Sequence, residues 1–422
     1  MMSRLCILAA WGITFLGSSP LLAASDSAPT WVITTATGEK HEAEALNIAH
    51  RNLLLGRRQQ LKKFEPDQIL SIARRNEKPL AGVSSLVRRG CRVSLSNGDR
   101  YFGRLIDLTD TAITLDPFLK ASPESGETEQ ETFLSFPLEY VLELNWFRET
   151  MRSGMDRSTA SSQPVNQDLI TLSNGDRIAG ELTEFSATAL QLETENGSRE
   201  IQVEAIQSLR LNPELVIAVP ASSSQILVRL QDGSRITSES LDLVDFNQLR
   251  LKTSFSKPWS ISLSHLKSLL VLDEARRPLS TREPADVKYT PFLSQVPLWQ
   301  ADRNVLGQPL RMQSVEYLTG LGMHSQTELT WNLQPDDLTF LAEIGLDDLT
   351  EGAGSVRFEV LTNDEVVFES GLVRGGTPPR SISIDLADKQ TLTLRVLFGE
   401  QGDVQDRADW GHALILKSPV VK

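Results

Sequence analysis

One short stretch, restated along the chain, constrains this protein more than any other feature. Val93-Ser94-Leu95-Ser96-Asn97-Gly98-Asp99-Arg100 returns nearly unchanged as Ile170-Thr171-Leu172-Ser173-Asn174-Gly175-Asp176-Arg177. It returns again as Val228-Arg229-Leu230-Gln231-Asp232-Gly233-Ser234-Arg235, and more faintly from Val32 to Lys40. Apolar-polar alternation on both sides of the turn puts every second side chain on one face, the pattern of a half-buried strand. Asn-Gly and Asp-Gly between such runs predict a tight hairpin, because both residues tolerate positive φ. Downstream of each Gly a second alternation follows: Leu53/Leu55, Ile113/Leu115, Leu190/Leu192 and Leu249/Leu251. A third apolar segment closes each unit, at Ile69/Ile72, Val141/Leu144, Ile206/Leu209 and Leu266/Leu269.

The spacing predicts four β units, over residues 25–85, 86–150, 164–215 and 222–275. So few short strands suit a bent SH3-like or Sm-like barrel, whose closure would protect its edges. The pattern leaves open whether the barrels stand apart or fuse into one array. Asp99 and Asp176 beside Asn offer a cation too few oxygens, since calcium takes roughly six to eight; the motif reads as a turn. Ala43 to Leu54 and Pro66 to Arg75 are the only stretches with helical promise. The polar, Pro-bearing joint from Arg276 to Pro284 reads as a hinge between bodies.

At 422 residues the chain exceeds one ordinary domain, and 40% hydrophobic with 23% charged residues is globular composition. A net charge of −13 argues against nucleic acid as a partner. Residues 1–24 resemble a secretory signal: Arg4, an apolar run from Leu5 to Leu16, a Gly-Ser-Ser-Pro break and small residues at Ala23-Ala24. The run is short for a membrane span, so the expectation is an exported protein, periplasmic, cell-surface or secreted, with no integral span in the mature chain. Beyond that segment Cys91 is the only cysteine, so no internal disulfide is expected.

The C-terminal third changes character. Val356 to Leu361, Val366 to Phe368, Ile382 to Leu386 and Leu392 to Leu397 alternate as strands between Gly-rich joints, which argues a two-sheet sandwich. Gly320-Leu321-Gly322-Met323-His324-Ser325, Ile344-Gly345-Leu346-Asp347-Asp348 and Gly354-Ser355-Val356-Arg357-Phe358 follow in order, with Val373-Arg374-Gly375-Gly376 and Asp409-Trp410 after them. In these segments residues 285–422 resemble the NPCBM family of carbohydrate-binding modules, related to carbohydrate-binding family 51. Trp299 to Asn304 with Gly307 to Leu310 looks like the leader of such modules in planctomycete-type exported proteins. The fold class expected for the whole chain is all-β: tandem small barrels, then a jelly-roll-like sandwich.

The resemblance implies sugar binding in loops at one end of the sandwich, with galactose-containing glycans among the candidate partners. Sugars are held by carboxylates and guanidinium groups that match hydroxyl pairs, beside an aromatic ring that covers a C–H face. Trp410, Asp409, His324, Arg374 and Asp406 are the candidate ligand-binding residues; Trp299 and Trp331 rank below them. No cofactor is required, although Asp347 and Asp348 are compatible with a calcium ion as well as with turn capping. Gly411-His412 stands where the family carries an acidic residue shortly after the Trp.

No His-Glu-x-x-His, Gly-x-Ser-x-Gly or Gly-x-x-x-x-Gly-Lys-Ser/Thr motif occurs. The expectation is therefore no catalytic activity: an exported carbohydrate-binding protein or, alternatively, an envelope scaffold with a protein partner and no sugar affinity.

Overall fold

A computed structural model describes residues 31–417 except 37, 58–59, 76–82, 88, 122–132, 148–165, 187, 221, 245–246, 291–297 and 401. The predicted signal segment and most of the Ala121–Glu131 insert and the Arg148–Gln167 linker lie outside the described residues. The chain is all-β, with antiparallel pairing throughout. Among the described residues no helix is long and apolar enough to cross a membrane.

Each repeat has one plan. In the second unit Cys91–Leu95, Arg100–Leu108, Ala112–Pro117 and Leu134–Pro137 are followed by a 3-10 turn, Leu138–Tyr140, and a last strand, Val141–Trp146. That last strand returns to pair with the first, Leu144 opposite Val93. The third unit repeats this from Asp168–Leu172 to Ile206–Arg210, and the fourth from Gln225–Leu230 to Leu266–Leu272. The opening unit runs from Trp31–Thr35 to Ile69–Arg74.

The hairpin is tight but not of the expected type. Only the glycine adopts positive φ, at +85° for Gly98, +94° for Gly175 and +96° for Gly233. The loop is three residues long, with Leu95 N–H donating to Asp99 O at 2.9 Å. The preceding Asn or Asp keeps a negative φ and instead accepts the amide two residues on: Asn97 from Asp99, Asn174 from Asp176 and Asp232 from Ser234. This side-chain-capped turn is the reason the Asx residue recurs.

The barrels do not close. The units share one sheet in the spatial order third, second, fourth, first. Last strands pair across two junctions, Leu144 with Leu209 and Leu269 with Ile72. Between the second and fourth units the second strands meet instead, Arg100 opposite Arg235. Every junction therefore joins equivalent strands across a local pseudo-dyad. Pairing edge to edge satisfies the backbone groups that a small open sheet would leave bare. One apolar core runs through all four units, from Trp31 to Leu269.

Two sequence expectations fail here. Ala43 to Leu54 forms strands Ala45–Ala49 and Asn52–Arg57, and Pro66 to Arg75 forms a 3-10 turn with a strand, Ile69–Arg74. Their apolar side chains are drawn into the shared core, and tertiary pairing overrides weak local preference. The Arg276–Pro284 joint is also no hinge. Arg276–Pro278 adds a strand beside Leu414 to Leu416, Leu279 is fully buried, and Arg282 forms a bidentate pair with Asp337 at 2.6 and 2.8 Å.

Residues from Asp286 onward form a β-sandwich. One sheet orders Gln300–Ala301, Gly320–His324, Arg407–Lys417, Asp337–Leu346 and Arg380–Asp385. The facing sheet orders Asp286–Tyr289, Thr327–Asn332, Thr391–Phe398, Ser355–Thr362 and Glu365–Arg374. Leu321, Trp331, Phe340, Phe358, Leu394 and Trp410 are among the residues of its core.

The sandwich is seated firmly on the repeats. Leu318 and Leu414 pack with Leu70, Leu227, Leu270 and Leu272, and Leu310, Met312, Val315 and Tyr317 pack with Ala73. Glu316 is buried at this junction among Arg229, Lys267 and Arg311, with Arg229 Nε at 3.2 Å. Lys40 of the first unit reaches Glu343 at 2.5 Å, and the Tyr317 hydroxyl donates to the same carboxylate.

Candidate functional site

Strand ends decide which side chains can meet. His324 ends its strand opposite Arg407, and Thr327 begins the next strand opposite Val396. Ser355 pairs with Arg374, and Tyr289 with Thr327. These ends, with the 398–407 loop, all lie at one end of the sandwich.

The middle of that end is braced by carboxylates. Asp406 accepts the Ser355 amide at 3.1 Å, and the Ser355 hydroxyl accepts the Glu400 amide at 2.8 Å. Glu400 in turn takes a forked pair from Arg374, at 2.7 Å from one terminal nitrogen and 3.2 Å from Nε. Burial pushes the Asp406 carboxyl up to about 6, although hydrogen bonds from Ser325 and Ser355 oppose the shift. Its second oxygen is buried without a partner. Arg374 is more than half exposed, so its pair with Glu400 contributes little energy and its guanidinium remains open to solvent.

At the flank of the same end stands an aromatic group. Gln300 pairs with Gly322, which brings Trp299 alongside the end of the His324 strand. The Trp299 amide donates to the Tyr289 hydroxyl at 3.1 Å, and Thr290 N–H donates to Gln326 O at 2.9 Å. Trp299, Tyr289 and His324 are all half-buried, and Trp299 also packs against the sandwich core. Burial lowers the His324 pKa, so the ring is neutral at pH 7 and can both donate and accept.

Of the five residues singled out, His324, Arg374 and Asp406 share this end. Trp410 and Asp409 do not. The expectation that Trp410 offers a stacking face is not met: it is fully buried, edge-on to Phe358 at 5.1 Å and tilted against Phe340 at 6.3 Å. Trp331 is likewise core, its indole N–H bound to Arg282 O. Trp299, ranked below them, is the tryptophan at the loop end.

Asp409 is also fully buried, beside the Asp347 carboxylate. Burial first, and then the neighbouring Asp347 carboxylate, push its pKa well above the usual carboxylate range. Asp347 accepts the amides of Leu349 and Arg311, and Asp348 those of Gln313 and Ser314. Both act as turn caps. Among the described residues no group of three or more His, Cys, Asp or Glu could hold a metal ion.

The Gly411-His412 departure has a structural role. The residues form a bulge opposite Leu341 and Glu343, with His412 at φ +46°. A Cβ on Gly411 would meet the Tyr317 ring at 2.4 Å. His412 is buried edge-on to Tyr317 at 5.0 Å, near Glu343 and Lys40. A carboxylate here would bury a second negative charge beside Glu343, whereas neutral imidazole fits the contact with the first repeat.

Residues 285–416 match the NPCBM/NEW2 domain family. The Alpha-1,3-galactosidase B of Akkermansia muciniphila is 30% identical over 112 residues, which are 26% of this chain and 14% of that protein. The chain thus spans about a seventh of this relative. A CBM51 from Clostridium perfringens GH95, solved with methyl-galactose, is 26% identical over 33% of this chain and 99% of its own, with a TM-score of 0.31. CBM51-2 with INT domains from Clostridium perfringens ZmpB, solved with GlcNAc, is 21% identical over 44% of this chain and 42% of that one, with a TM-score of 0.32. Residues 285–416 are an NPCBM/NEW2 domain.

Proposed function

We propose that this chain is an exported, non-catalytic carbohydrate-binding protein whose sandwich is presented on a rigid platform of repeats. The observation that carries the reading is the loop end of the NPCBM/NEW2 domain. There Trp299 and Tyr289 supply aromatic surface, His324 a neutral donor and acceptor, and Arg374 a solvent-open fork braced from behind by Glu400 and Asp406. That arrangement suits an extended glycan: Tyr289 and Arg374 stand on opposite edge strands of one sheet, so the indole flank takes the C–H face of one ring and Arg374 the hydroxyl pairs of another. The relative named for α-1,3-galactosidase activity makes a galactose-containing glycan the first ligand to try. The acids at this end are engaged in bracing loops, which suits holding a ligand rather than cleaving one.

The test is a glycan array followed by calorimetry on the full chain. Galactosides are expected to bind, and Trp299→Ala to weaken them at least tenfold, with only a modest loss of thermal stability from the part of the ring that packs on the sandwich core. A folded protein that binds no glycan would overturn the proposal and favour the envelope-scaffold reading.

A further inference from the structure

A cavity of about 380 Å³ lies where the fourth unit, the second unit and the sandwich meet, well away from the loop end. Its carboxylates are already engaged. Asp273 holds Arg276, Glu239 lies 3.1 Å from Lys252, and Asp302 accepts the Gly320 amide. The cations are less satisfied. Arg277 is exposed and has no partner among the described residues, and Arg235, whose charge faces Asp99, has its Nε buried without a hydrogen bond. Thr319 also lines the cavity, 2% exposed, and its hydroxyl is unpartnered. Ser222, Ser224 and Ser254 add hydroxyls to the wall, and Phe255, packed on Tyr101 and Phe136, adds the remaining part of its ring.

We propose that this junction cavity binds an acidic saccharide, its carboxylate held by Arg235 and Arg277 and its hydroxyls by Thr319 and the serine wall. Guanidinium forks match a carboxylate, and the single ring offers a surface for a sugar face. Arg277 leaves its guanidinium free at a partly open, hydroxyl-lined space, and the buried Thr319 hydroxyl beside it has no protein partner. Calorimetry of the full chain with galacturonate oligosaccharides is expected to give saturable heat. Arg277→Gln and Arg235→Gln should each weaken it roughly tenfold and leave galactoside binding unchanged. No heat with galacturonates, equal affinity for inorganic phosphate, or affinity unchanged in both variants would overturn the proposal. Failure of the loop-end reading shows separately, as absent galactoside binding with galacturonate binding intact.

A different observation carries a second inference. At the junction of the second and fourth units, Asp99 accepts the Thr237 amide while the Ser234 hydroxyl accepts the Phe102 amide. These positions are equivalent in the repeat, so the contact is a pseudo-dyad. Among the described residues, the third unit carries the same edge with nothing on it. Asp176 is exposed where Asp99 is fully buried, and Ile178 is half-exposed where Tyr101 and Ile236 are buried. In the first unit Lys40, the counterpart of Arg177, is held instead by Glu343 of the same chain, while Glu39, the counterpart of Asp176, is exposed.

We infer that the third unit's edge pairs with the same edge of a second copy of this chain, a true two-fold replacing the internal pseudo-dyad. Asp176 of each copy would accept the Ala179 amide of the other, with Arg177 facing the opposite Asp176. Sedimentation of the full chain from micromolar to near-millimolar concentration should show a dimer. Ala179→Pro removes the outward amide at an edge position where proline is tolerated, and should leave a monomer of unchanged thermal stability; Asp176→Lys is the second variant should the first misfold. A monomer throughout, or undiminished dimer in a folded variant, would overturn the inference.

Discussion

The Asp99 carboxylate accepts the Thr237 amide at 2.9 Å and the Thr237 hydroxyl at 2.7 Å, across 138 residues of chain. It turns a hairpin motif into a clasp between two units. Burial raises the Asp99 pKa, and the Thr237 and Asn97 bonds act against that rise. Asp99→Ala should destabilise the protein by about 2–3 kcal/mol, because it leaves a buried amide unpaired. Urea unfolding checks this; Asp176→Ala, at the exposed equivalent, should cost less than about 0.5 kcal/mol.

Glu316 is one buried carboxylate shared by three cations. They hold its pKa below the ordinary value despite burial, while burial and the crowding of Arg229 and Arg311 push Lys267 down. Glu316→Ala strands those charges at the seat of the sandwich and should cost about 3–5 kcal/mol. Its depressed pKa means this stability is present above about pH 4.5 and fades as pH falls further. Limited proteolysis should show cleavage between repeats and sandwich in the variant; an unchanged digest would count against a rigid seat.

His412 is buried neutral, and burial lowers its pKa from 6.5 to about 4. A depressed histidine contributes stability that is present above pH 6.5 and lost as pH falls toward 4. The full difference is about 3 kcal/mol by linkage. Thermal melts between pH 7 and 4 should be steeper for the native protein than for His412→Asn, since Asn accepts the left-handed backbone there. Equal slopes would show that His412 does not titrate in this window.

Trp410→Ala should cost about 3–5 kcal/mol by opening a cavity between Phe358 and Phe340. Near-UV circular dichroism and melting temperature report this directly. A variant that melts normally and loses only glycan binding would return Trp410 to the site.

Much was legible before any coordinates. Period-two alternation around Asn97-Gly98, Asn174-Gly175 and Asp232-Gly233 announced strands and hairpins, and the ordered motifs from Gly320 to Trp410 announced the sandwich. His324, Arg374 and Asp406 fell at strand ends, where loops gather. The tryptophans could not be sorted the same way. Trp410 and Trp299 carry the same ring, and only the packing of Phe358 and Phe340 against the former shows which is core.

By itself the sequence determined the local structure: which side chains alternate, where the chain must turn, and which third is a sandwich. Those follow from covalent periodicity and from residues that tolerate positive φ. Only the tertiary structure decided that the units run third, second, fourth, first, that Asp99 is a clasp while Asp176 is bare, and that Arg276–Pro284 is a docked strand. An alternating strand specifies which of its faces is apolar but not whose backbone will satisfy its edge. That choice is made between segments more than a hundred residues apart, where burial and complementary charge at residues such as Glu316 select the partner.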